Sequence, residues 1–155
     1  MKAPQKLLTI GPLSRTHHLL LAHGAGASMT SPFLTTLADL LNTADVTVHR
    51  FEFSYMHDQR LTGKRRPPPP IATLVEEYLK VLRLCKDKPP SSARLFIGGK
   101  SLGGRVATLV AALPELKKTI EGVIVVGYPF HPPHKQDRLR TQPLRECLKS
   151  TLIVQ

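Results

Sequence analysis

A chain of 155 residues has room for one domain with its own core and not for two of ordinary size, so residues 1–155 are read as a single domain. Its formal charge of +11, from 22 Lys+Arg against 11 Asp+Glu, raises nucleic acid, an acidic membrane or an anionic substrate as partner. The one dense basic cluster is Lys64-Arg65-Arg66, and few aromatics accompany the other cations to stack bases, so the distribution argues against nucleic acid as the main partner.

Cys85 and Cys147 stand far apart, in no metal-ligand spacing, and read as thiols of a reducing compartment with no disulfide, zinc or cofactor framework. The Leu19-Leu20-Leu21-Ala22 run is too short for a signal core or a membrane span. The cytosol is the expected compartment and no membrane the expected surface, with the nucleus left open by Gly63-Lys64-Arg65-Arg66-Pro67.

Taken in order, Leu7 to Ile10 suggests a short lead-in strand closed by Gly11-Pro12. His18 to Ala22 is a continuous apolar run of the kind buried on both faces of a parallel sheet, and it ends in His23-Gly24-Ala25-Gly26. Ser31 as N-cap and Pro32 at the first helical position open a helix with Phe33, Leu34, Leu37, Leu40 and Leu41 on one face. Val46 to Phe53 alternates as a second strand nearer an edge. From Tyr55 to Pro70 the chain is polar, basic and finally four prolines, which predicts a long, extended, solvated loop. Ile71 to Cys85 has helical apolar spacing, and Pro89-Pro90 breaks it.

Ala93 to Gly98 follows as a strand, Leu102 to Ala112 as the helix behind it, and Gly122 to Val126 as another apolar strand. Arg138 to Leu148 reads as a helix interrupted at Pro143, and Thr151 to Gln155 as a last strand. Strands alternating with helices predict an α/β fold, with a doubly wound, mostly parallel sheet and helices on both faces. The switch point then falls between the strand at Leu19 to Ala22 and the strand at Leu95 to Gly98, where a ligand crevice is expected.

The chemistry concentrates at that crevice. Gly99-Lys100-Ser101-Leu102-Gly103 fits G-x-S-x-G, in which a serine perches on a sharp strand-to-helix turn and both flanking positions must be glycine. Ser101 is the candidate nucleophile. A Walker A loop is rejected because its first glycine would fall at Arg94. A tetrahedral oxyanion needs preorganised N–H donors, and the candidates are Leu102 with Ala25 or Gly26 in the glycine turn. Either motif alone also fits a simple tight turn, whereas the two in this order favour an oxyanion element. His23 reads as a structural imidazole beside Gly24. Lys100, Tyr128 and His131 are candidate pocket residues, Arg105 is a second cation beside the elbow, and His131 is the best base the chain offers. Tyr55, His57 and the basic proline loop are a candidate wall, with a solvated loop the simpler account.

Residues 19–27 (Leu-Leu-Leu-Ala-His-Gly-Ala-Gly-Ala), Ser31-Pro32-Phe33, Arg50-Phe51-Glu52-Phe53, Gly63-Lys64-Arg65-Arg66-Pro67-Pro68, Gly98 to Arg105 and Gly127-Tyr128-Pro129-Phe130-His131-Pro132-Pro133 together resemble an α/β-hydrolase-like family. It includes bacterial dienelactone-hydrolase-type proteins, the testis-expressed hydrolase-like protein and the hydrolase-like domain of the NSL-complex subunit. The resemblance implies a serine hydrolase fold, Ser101 as nucleophile and the turn at His23 to Gly26 as oxyanion element. In that family the triad acid follows the last strand here and the catalytic histidine comes one strand later, so the resemblance implies a chain that stops at Gln155 short of both, and of the final strand and helix. His134-Lys135-Gln136 departs from the glycine usual after Pro-Pro. The expectation is a domain for hydrolysing a small-molecule ester or related acyl bond, weak or inactive as it stands. A non-catalytic interaction module with a protein partner is the competing class.

Overall fold

The strand that opens the glycine turn sits between the two strands on which the fold changes direction. In the computed structural model, which describes residues 7–155, β1 (Leu8–Ile10), β2 (His17–Ala22), β3 (Val46–Phe51), β4 (Arg94–Lys100), β5 (Gly122–Val126) and β6 (Thr151–Val154) form one sheet in the order β1-β3-β2-β4-β5-β6. β1 runs antiparallel to β3, and every other pairing is parallel. From β2 the chain passes through α1 (Pro32–Thr43) to β3 on one side. It then returns through α2 (Ser54–Thr62) and α3 (Ile71–Lys86) to β4 on the other. The switch point therefore lies between β2 and β4, whose ends coincide, with Ala22 paired to Gly99. α4 (Leu102–Ala111) and α5 (Gln142–Glu146) complete the crossovers to β5 and β6.

Alternation along the strands builds two cores. Leu19, Leu21 and Val48 pack with Leu34 and Ala38 of α1 on one face. Leu20, Ala22, Phe51, Ile97, Val123 and Val125 meet α3 and α4 on the other. Each Leu or Phe fully buried in this way contributes about 1.5–3 kcal/mol relative to exposure. Tyr78 of α3 is fully buried in the second core, and its hydroxyl accepts from the Gly98 N–H at 3.0 Å while lying 2.9 Å from the carbonyls of both Leu20 and Gly98. An aromatic side chain thus anchors the strand that leads to Ser101.

Two expectations need correction. Residues 54–62 are helical rather than part of a long loop, and Tyr55 and Met56 are buried. The cause is tertiary: the Ser54 N–H donates to the Glu77 carboxylate of α3 at 2.8 Å, which caps a helix whose own N-cap, Phe53, offers no side-chain bond. Gly63, at φ 68°, closes the helix in the left-handed conformation. Residues 64–70 are outside helix and strand. In the C-terminal region the helix spans Gln142–Glu146 alone, and Pro143 sits in its first turn, where a missing N–H is harmless, rather than interrupting a longer helix.

Candidate functional site

Ser101 stands between β4 and α4 with φ 50° and ψ −111°, a backbone conformation that ordinary residues rarely adopt and that costs about 1–3 kcal/mol. Its surroundings enforce that geometry. Its N–H donates to the Val126 carbonyl at 2.9 Å, and its own carbonyl accepts the first helical bond, from Arg105 N–H at 3.0 Å. A Cβ on Gly99 would lie 2.4 Å from the backbone of Gly103, and one on Gly103 only 2.5 Å from the His23 carbonyl oxygen. The two glycines are therefore steric requirements of the turn, and the start of α4 is in backbone contact with the end of β2.

The same contact brings the His-Gly-Ala-Gly turn to the serine. A Cβ on Gly24 would lie 3.8 Å from Ser101 Cβ and 3.5 Å from the Lys100 carbonyl. Ala25 and Gly26 are exposed. Among the described residues, the amides of Ala25, Gly26 and Leu102 donate to no protein group. The phenol of Tyr55 in α2 donates to the Ala25 carbonyl at 3.2 Å. Arg50 holds the segment that follows: its Nη1 donates to the Met29 carbonyl at 3.0 Å and to Thr35 Oγ1 at 2.9 Å. The turn is thus tied down from both sides.

His23 is committed to structure. Its Nε2 accepts the Phe53 N–H at 3.0 Å, so the proton resides on Nδ1, which donates to the Gly24 carbonyl at 2.6 Å. Burial holds the imidazole below its ordinary pKa, against the opposing effect of the Gly24 carbonyl, Glu52 and Glu77. His131 is exposed, with Nδ1 3.0 Å from the Pro132 carbonyl, and no hydrogen bond joins it to Ser101. Tyr128 is buried and donates to the Arg140 carbonyl at 2.7 Å. Burial lowers the pKa of the Arg105 guanidinium, helped by nearby Arg140 and opposed by Tyr128. The Lys100 ammonium lies 4.4 Å from the ring centroid of Phe33 at the start of α1, a cation–π contact that ties β4's end to the opposite crossover.

One feature of the site was only faintly visible in the sequence. Gln59 of α2 and Arg65, Arg66, Pro67 and Pro68 of the basic loop line a cavity of about 450 Å³ whose other wall is Ala25 and Gly26. The loop is exposed, as a solvated segment should be, yet it borders the glycine turn. The signal that would have placed it there is the helix at 54–62, whose Gln59 lines the cavity and whose Tyr55 bonds the Ala25 carbonyl.

The model of the alpha/beta hydrolase domain family matches residues 15–155. The chain belongs to the alpha/beta hydrolase domain family. Among solved structures, a homologue of alpha-beta serine hydrolases from Coxiella burnetii is 18% identical with a TM-score of 0.69, over 96% of this chain and 66% of that one. A dienelactone hydrolase from Anabaena variabilis is 20% identical with a TM-score of 0.67, over 99% of this chain and 80% of that one. Est1E from Butyrivibrio proteoclasticus is 16% identical with a TM-score of 0.60, over 77% and 45%. At these identities the likeness concerns the fold. This hydrolase-family chain spans about two thirds of the Coxiella protein and less than half of Est1E. Among the described residues, no helix is long and apolar enough to cross a membrane.

Proposed function

We propose that residues 1–155 form a single hydrolase-type domain directed at an ester or related acyl bond of a small molecule through Ser101, weak or inactive as it stands. The observation that carries this reading is the strained Ser101 backbone at the strand-to-helix turn, with the unbonded Leu102 amide after it and the glycine turn beside it. In the proposed reaction Ser101 Oγ adds to the substrate carbonyl, and the oxyanion that forms accepts from Leu102 N–H and from Ala25 or Gly26. Collapse of that species breaks the ester bond, with the hydroxyl proton leaving on the departing alcohol. Water then releases the acid and restores the serine. The positive end of α4 adds to oxyanion stabilisation.

The finer reading places the chain with the testis-expressed and NSL-complex type of hydrolase-like proteins, on the motifs from His23 to Pro133, and the cytosol or nucleus as its compartment. One observation favours a second function, a non-catalytic interaction module. Among the described residues no imidazole or carboxylate hydrogen-bonds Ser101, and His23 is engaged elsewhere. A fluorophosphonate probe separates the two. Under the hydrolase reading it labels Ser101 in the full-length protein and fails on Ser101→Ala, and 4-nitrophenyl acetate hydrolysis falls to background in the same variant. No labelling of the full-length wild type decides for the module.

A further inference from the structure

We propose that the cavity between the glycine turn and the basic loop is an anion site, so that the acyl compound taken beside Ser101 carries a carboxylate or phosphate held by Arg65 and Arg66. The acyl part rests on the hydrolase reading; the anion site does not.

The lining is the first argument. Arg65, Arg66 and Gln59 line the cavity together with two small residues, Ala25 and Gly26, and no acidic residue is among its lining. The pairing of these arginines is incomplete. Arg66 makes a 3.7 Å contact with Asp58, both side chains about half exposed, a distance and exposure at which an ion pair holds little. Arg65 has no ion-pair partner among the described residues. Each guanidinium retains donors that suit the two oxygens of a carboxylate or phosphate in a bidentate arrangement.

The second argument is rigidity. The Arg66 N–H donates to the Gln59 side-chain oxygen at 3.2 Å, the Lys64 N–H donates to Thr62 Oγ1 at 3.3 Å, and prolines 67–70 fix the backbone immediately after. A loop held in this way loses less freedom on binding than a flexible one. Position is the third. A Cβ on Gly24 would lie 3.8 Å from Ser101 Cβ, and Ala25 and Gly26 follow at steps of about 3.8 Å between Cα atoms, so the anionic end of a ligand would lie roughly one nanometre or somewhat more from Ser101. An extended chain of about eight or more bonds spans that distance, which selects half-esters or phosphate-bearing esters with long spacers.

The test is binding, measured by calorimetry and by amide chemical shifts on the intact chain. The probes are monomethyl succinate, inorganic phosphate and, as the neutral control, dimethyl succinate. We expect saturable binding of at least one anion, with shifts at Ala25, Gly26 and Gln59, and at least about tenfold weaker binding of the diester. The double variant Arg65→Gln/Arg66→Gln should lose about tenfold or more in anion affinity at an unchanged thermal midpoint, because both residues are exposed. The anion that binds more tightly identifies the head group. Equal affinity for diester and monoester, undiminished anion affinity in the double variant, or shifts confined to other surfaces would each overturn the proposal. Anion binding without fluorophosphonate labelling leaves the site standing and removes only the hydrolase reading; labelling without anion binding does the reverse.

Discussion

His18 and His49, both fully buried, belong to one hydrogen-bonded chain. Thr9 Oγ1 lies 2.9 Å from His49 Nδ1, His49 Nε2 lies 3.0 Å from His18 Nδ1, and His18 Nε2 donates to the Arg15 carbonyl at 2.8 Å. With one proton per ring, each donor meets an acceptor: His18 Nε2 donates to the Arg15 carbonyl, His49 Nε2 to His18 Nδ1, and the Thr9 hydroxyl to His49 Nδ1. Burial lowers the His49 pKa to about 4, and neighbouring His18 and Lys88 push it the same way. The folded state therefore binds fewer protons than the unfolded one below the ordinary value of 6.5. Stability is fully present above pH 6.5 and is lost as pH falls towards 4, at up to about 1.4 kcal/mol per pH unit and about 3 kcal/mol in all. Urea midpoints at pH 7.5 and 5.0 measure the loss. His49→Gln keeps a donor towards His18 and does not titrate, so it should flatten the dependence while leaving the share due to His23, which is depressed in the same direction. Equal slopes in both proteins would refute the assignment. These partnerships could not be read from the chain, because they join residues 31 and 40 positions apart across two strand pairings. Gly99 and Gly103 could, because a local steric rule fixes them whatever the rest of the fold does.

Local pattern was sufficient for β2, α1, α3, β4, α4 and β5, where an apolar period and a cap or breaker agree. Ser31 accepts the Leu34 N–H at 3.4 Å and Pro32 follows it, as the sequence indicated. It failed at α2, whose residues are polar and whose N-terminus is capped by a glutamate 23 positions later. That explanation predicts a specific weakness. Glu77→Ala removes the acceptor for Ser54 N–H and leaves a half-buried donor without a partner, at a cost of about 1–2 kcal/mol. The effect should concentrate in residues 54–62 and in the loop that depends on them. Amide exchange of α2 should accelerate by about tenfold or more, while the β2 and β4 amides change only with global stability. Uniform acceleration across the sheet would instead mean that Glu77 matters to the core as a whole. Glu77→Gln keeps an oxygen acceptor and should restore most of the protection.

At the scale of the whole molecule, the doubly wound order places the candidate site, and the charge decides how the surface behaves. The switch point between β2 and β4 followed from element order alone, because parallel strands joined by right-handed crossovers leave few arrangements. The cavity beside it did not follow, since it depends on how the basic loop lies against the glycine turn. An excess of 11 positive charges keeps most of the surface self-repelling and resists association. β6 is the exception. It pairs with β5 on one side and forms the edge of the sheet, and Leu152 and Val154 point outward with 59% and 48% of their surface exposed. An apolar edge strand with unpaired backbone groups is a template for pairing with a second copy. This predicts concentration-dependent association of the 155-residue chain through β6. Leu152→Lys places a charge on that edge without touching either core, so light scattering should show a shift towards monomer at unchanged pairing of β5. The thermal midpoint should move by no more than a few degrees, as expected for an exposed position outside a cap or network. A mutation that left the association unchanged would move the self-contact to another surface. One that lowered the midpoint strongly would show that Leu152 supports the fold rather than the edge.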